Sequence, residues 1–92
     1  MTDTDKTTNL DDLRDRIDQL DTEILKKLNE RARYALDVAE VKLRESGGEA
    51  PVFYRPEREA QVLRRMSELN QCPLSSEKIT QVYRQIMSAC LA

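Results

Sequence analysis

The chain has 92 residues, of which 39% are hydrophobic, 35% charged and 4% aromatic, and its formal charge is −2. That length allows one small domain, much of whose surface stays exposed when it folds alone, and 15 basic against 17 acidic residues leave no net positive field for nucleic acid. With no His there is neither the commonest general base nor the commonest metal ligand, Cys72 and Cys90 make no disulfide framework or zinc cluster, and no apolar run is long enough to span a bilayer.

What remains is an all-α cytoplasmic protein, since two Gly and three Pro stand against abundant Ala, Leu, Glu, Arg and Lys. Residues 1–9 read as a disordered N-terminal tail, polar and acidic from Met1 to Thr8, and its last residue, Asn9, can cap a helix. The domain proper is expected over residues 10–92. Leu10, Leu13, Ile17, Leu20, Ile24, Leu28, Ala32, Ala35, Val38 and Val41 recur every three or four positions, the signature of one helical face. Nothing interrupts them until Gly47–Gly48, so the first helix is predicted over about 10–46, roughly 54 Å long at ~1.5 Å per residue.

Glu49 to Arg55 form a predicted loop closed by Pro56, which suits the first position of a helix over about 56–70. Ala60, Leu63, Met66 and Leu69 give its expected buried stripe. A third helix is predicted over about 75–92, with Ser75 as cap, Leu74 stapled against Ile79, and an apolar face of Ile79, Val82, Tyr83, Ile86, Met87 and Cys90. The two short helices together barely match the long one. A monomer would leave much of the long apolar stripe in water, and a two-fold dimer that pairs the long helices removes that exposure. Helical pattern continues to Ala92 without a cap, as expected of a chain cut from something longer.

Charged residues on or beside the stripes are the candidates for chemistry. Arg31 lies between Leu28 and Ala35, and Lys42 follows eleven residues later, within about 20° of it around the helix. Arg14 adjoins Leu13 and Ile17, while Arg58 and Glu59 adjoin Val62, Leu63 and Met66. Taken singly, each is an ordinary surface residue whose stem snorkels along apolar neighbours. Together, Arg31, Lys42 and Arg58 facing one interior would need an anionic partner, which a dicarboxylate supplies.

Leu13-Arg14-x-x-Ile17-x-x-Leu20-Asp21, then Glu30-Arg31, Val38-x-x-x-Lys42 and Pro56-Glu57-Arg58-Glu59, on a long–short–short helical plan, closely resemble the all-helical (AroQ-type) chorismate mutases. The resemblance covers Leu10 to Ala92. Its close, Ile86-Met87-Ser88-Ala89-Cys90-Leu91, is similar to the end of the mutase domain in bifunctional chorismate mutase–prephenate dehydratases, which implies a C-terminal dehydratase domain in a longer parent chain.

The resemblance implies an intertwined homodimeric helical bundle that rearranges chorismate to prephenate on the way to phenylalanine and tyrosine, with no cofactor and no metal. It assigns Arg31 to one substrate carboxylate and Arg14, from the other protomer, to the second. It places Lys42 on the ether oxygen of the breaking bond, Glu59 on the substrate hydroxyl and Arg58 in the polar wall. Cys90 stands where relatives often carry Ser beside a carboxylate. Two departures stand out. Arg55 occupies a place where relatives usually have an acidic residue, and the Gln or Glu expected one turn after Cys90 would fall two residues beyond Ala92. An isochorismate pyruvate-lyase of the same fold and a non-catalytic helical dimerisation module are the alternatives.

Overall fold

The computed structural model describes residues 9–47 and 56–90. The expected tail over 1–8, the loop over 49–55 with Arg55 in it, and Leu91 and Ala92 lie outside the described residues. Three helices follow in chain order: α1 over Leu10–Glu45, α2 over Pro56–Leu69 and α3 over Ser76–Cys90. No strand occurs among the described residues.

Capping chemistry accounts for both ends of α1, both ends of α2 and the start of α3. At the head of α1, the Asp12 amide donates to Asn9 Oδ1 at 2.9 Å, and Asp11 and Asp12 oppose the positive end of the helix. At its foot, Gly47 adopts φ +68°, the left-handed conformation in which glycine carries no Cβ penalty. The Gly47 amide donates to the Arg44 carbonyl at 3.3 Å, and the Ser46 amide and hydroxyl reach the carbonyls of Lys42 and Leu43, each at 2.9 Å. Three carbonyls that would otherwise lack helical partners are thereby satisfied. Ser46 thus belongs to the cap, and α1 closes at Glu45.

Pro56 opens α2, where its missing N–H costs nothing, with Glu57 and Glu59 in the first turn. Asn70 donates its amide to Met66 O at 3.0 Å and its side-chain Nδ2 to Leu74 O at 2.7 Å, so it ends α2 and braces the turn that follows. Ser75 caps α3 by accepting the Lys78 amide at 3.2 Å, which makes Ser76 the first helical residue.

The chain divides into two units, residues 1–30 and 31–92. In the first, the described part is the leading portion of α1, where Leu13, Ile17, Leu20 and Ile24 are each 47–55% exposed. No residue of α1 is buried. In the second unit, α2 and α3 pack as a hairpin around Val62 and Met87, the two buried hydrophobic residues among those described. Leu63, Met66, Ile79, Tyr83, Ile86 and Cys90 flank them, half-buried.

The buried stripe of α2 differs from the expected one. Ala60 is exposed and Leu69 is 60% exposed, while Val62 takes the central place. The inward arc is centred on Glu59, Val62, Leu63 and Met66, and Ala60 and Leu69 fall at its margins. On α3, Val82 stays 49% exposed and the other expected positions turn inward. Leu74, the expected staple, remains 50% exposed.

Candidate functional site

Within residues 31–92, the shielded side of α1 runs through Arg31, Ala32, Ala35, Ala39, Lys42 and Ser46, all half-buried. From Ala32 onward the steps are three and four residues, which trace one helical face with Arg31 at its edge, and the residues are small apart from the two cations. Val38 and Val41, which the apolar pattern assigned to the covered side, are 49% and 40% exposed instead. The face that carries Arg31 and Lys42 is therefore better shielded than the valine face beside it. Half-buried cations are less screened than cations in open water.

A cleft of about 480 Å³ opens in the same unit, lined by Arg31, Arg58, Gln61, Val62, Arg65, Met66 and Tyr83. Its size lies within the range of small-molecule sites. Val62 and Met66 of the hairpin core give the lining its aliphatic part, and Arg31, Arg58, Gln61, Arg65 and Tyr83 bring polar groups. Among the described residues, three guanidiniums and no carboxylate line it. Arg58 donates from Nη1 to Gln61 Oε1 at 3.3 Å, one turn along α2, which restrains the guanidinium without neutralising it. Such a lining favours a ligand of negative charge, and the planar fork of Arg matches a carboxylate with two parallel hydrogen bonds.

Of the residues singled out in the sequence, Arg31 and Arg58 meet in this cleft. Lys42 shares the shielded face of α1 with Arg31, Glu59 is half-buried on α2, and Cys90 is a half-buried free thiol at the end of α3. None of these three lines the cleft itself. Arg14 is exposed and belongs to residues 1–30. Arg55 lies outside the described residues.

Gln61, Arg65 and Tyr83 were not anticipated as lining residues. Arg65 follows Arg58 by seven positions, hence on the same helical face, and that spacing is the signal that could have found it. No group of three or more His, Cys, Asp or Glu that could hold a metal ion occurs among the described residues, nor does a helix long and apolar enough to cross a membrane.

The family model described as chorismate mutase type II matches residues 13–92. A bifunctional chorismate mutase/prephenate dehydratase from Pseudomonas aeruginosa is 57% identical over 81 residues, which cover 87% of this chain and 22% of that protein. Proteins of the same name from Stutzerimonas stutzeri and Aquifex aeolicus are 53% identical over 81 residues and 38% identical over 87, covering 87% and 90% of this chain and 22% and 23% of theirs. The chain thus spans about a fifth of the length of the curated relatives it matches.

Proposed function

The chain belongs to the chorismate mutase type II family, and from that membership we propose that it rearranges chorismate to prephenate as the mutase part of a bifunctional cytoplasmic enzyme of aromatic amino acid biosynthesis. The observation that carries this reading is the meeting of Arg31 and Arg58 in one cleft that Val62 and Met66 also line.

The reaction is unimolecular. One C–O bond breaks, one C–C bond forms, and no proton passes to or from the protein. Two physical effects can then supply catalysis. Cations fixed around the two carboxylates hold the compact reacting conformer, which removes the entropy of finding it. A further cation at the ether oxygen stabilises the negative charge that develops there as the bond stretches. Arg31 takes the first role from within the protomer, Arg58 completes the wall, Lys42 takes the second role and Glu59 accepts from the ring hydroxyl. Cys90 and Arg55 complete the proposed substrate contacts. The absence of His is no obstacle, because no general base is needed.

The second carboxylate falls to Arg14 of the partner subunit in a homodimer. Arg14 belongs to residues 1–30 and Arg31 to residues 31–92, and the family pattern assigns the two to one substrate from different protomers. Support for a dimer comes from α1, which buries no residue of its own and leaves Leu13, Ile17, Leu20 and Ile24 about half exposed. Such a stripe calls for a covering surface, and a second α1 in two-fold symmetry provides a complementary one.

A spectroscopic assay of chorismate loss tests the activity directly, and prephenate must account for the chorismate consumed. Release of pyruvate from isochorismate, with chorismate untouched, would replace the mutase reading by a lyase. The shared site is tested by co-refolding Arg14→Ala with Arg31→Ala chains. Random assembly makes half the dimers mixed, each with one doubly damaged and one intact site, so about a quarter of parental activity should return. Verified mixed dimers that recover nothing would separate the two arginines.

A further inference from the structure

Arg65 lines the cleft but has no part in the mechanism above. It stands two helical turns beyond Arg58, about 10 Å along α2 at ~1.5 Å per residue, and on the same face. Among the described residues it makes no ion pair or hydrogen bond, although Glu68 lies one turn away on its own helix. An exposed Arg normally accepts such a neighbour or drifts into solvent. Here the guanidinium instead edges a cleft that already holds Arg31 and Arg58, with Tyr83 contributed from α3. Arg65 adds its charge to that opening, and an anion there gains the attraction of a guanidinium that no other side chain holds among the described residues.

We infer that Arg65 is the recruiting arginine of the cleft: it draws the dianionic substrate to the mouth and holds it weakly before Arg31 and Arg58 fix it. The inference rests on the mutase reading for the identity of the dianion, though not for the anion preference of the cleft. Because Arg65 is exposed, its field reaches outward into solvent and is screened by salt. It therefore acts on capture rather than on the stretched bond. Its loss should appear in KM and in ligand affinity more than in kcat.

The test compares Arg65→Gln, which keeps an unbranched polar stem, with Arg65→Lys, which keeps the charge. Arg64→Gln removes the same charge from the adjacent exposed position, which does not line the cleft. Calorimetric binding of a bicyclic ether dicarboxylate that mimics the reacting conformer is measured beside chorismate kinetics, at low salt and at half-molar salt. Arg65→Gln should weaken binding and raise KM by about three- to fivefold, the scale of one exposed charge, and high salt should remove most of that difference. Arg65→Lys and Arg64→Gln should stay within about twofold of the parent.

The outcomes separate the two claims. If the parent consumes chorismate and Arg65→Gln matches Arg64→Gln, the recruiting role is overturned while the mutase reading stands. A fall in kcat with KM unchanged likewise removes that role. If the parent binds the dicarboxylate in an Arg65-dependent way yet leaves chorismate untouched, the mutase reading falls and the anion-recruiting role stands. A parent that neither binds nor reacts overturns both.

Discussion

Replacing Arg31 and Arg58 by Ala, singly and together, asks whether the two guanidiniums of the cleft hold one ligand. Arg31 is half-buried on the alanine face of α1, so its hydrogen bonds to a carboxylate belong near the top of the usual range for charged groups, about 3 kcal/mol. Arg58 is exposed and tethered to Gln61 by a long 3.3 Å bond, so solvent screening places it near the bottom, about 1.5 kcal/mol. At ~1.36 kcal/mol per decade, the single variants should lose roughly 160-fold and roughly 13-fold in kcat/KM. Independent contributions would multiply to about 2,000-fold in the double variant. Two groups that share one ligand do not act independently, because removing either loosens the ligand that the other grips. A coupling of about 1 kcal/mol limits the combined loss to several hundred-fold. The assay is initial-rate chorismate consumption for the four proteins, with far-UV circular dichroism to verify equal helix content. A double variant that loses the full product of the single losses would refute the shared ligand, and an Arg58→Ala protein with parental kcat/KM would remove Arg58 from the site.

Lys42→Ala should depress kcat far more than it raises KM, because a cation at the ether oxygen acts chiefly in the transition state, and Lys42→Arg should be the milder change; near-normal turnover in Lys42→Met would sink the assignment. Met87 is 4% exposed at the centre of the hairpin, so Met87→Ala should cost about 2–5 kcal/mol in urea unfolding, and a loss below about 1 kcal/mol would show that the hairpin core is not where stability resides. Gly47→Ala meets no atom within 4 Å of the added Cβ, yet φ stands at +68°, so backbone strain alone should lower stability by about 1–2 kcal/mol. An unchanged midpoint would mean that the α1 terminus frays before the molecule unfolds.

The three helices were legible because their boundaries depend on local chemistry. Asn9, Gly47, Pro56 and Ser75 act within a few residues of themselves, so the residues that cap or break the helices could be located without knowing what packs where. The faces were less legible. On α2 nearly every apolar position looked eligible, and tertiary contact with α3 selected Val62 while leaving Ala60 and Leu69 outside. On α1 the expected stripe held Ala32 and Ala35, which are shielded, but it continued through Val38 and Val41, whereas the shielded face continues through Ala39 and Lys42. Arg31 and Arg58 could be singled out because they stand on or beside the apolar stripes, and the family pattern then gave them roles. Arg65, one of 15 basic residues, had only its seven-residue spacing from Arg58 to set it apart from its neighbour Arg64, and the cleft gives that spacing its meaning.

The uncovered apolar side of α1 has a consequence at the level of the cell. In the proposed dimer, folding and pairing are one equilibrium, so the folded fraction depends on how much of the chain is present. Halving its synthesis would then remove more than half of the active sites wherever the working concentration lies near the pairing constant. Unpaired chains would meanwhile present Leu13, Ile17, Leu20 and Ile24 to chaperones and proteases, which shortens their lifetime further. Flux through the step would respond to gene dosage more steeply than proportionally, a nonlinearity that arises from one helix having too little of its own chain to pack against.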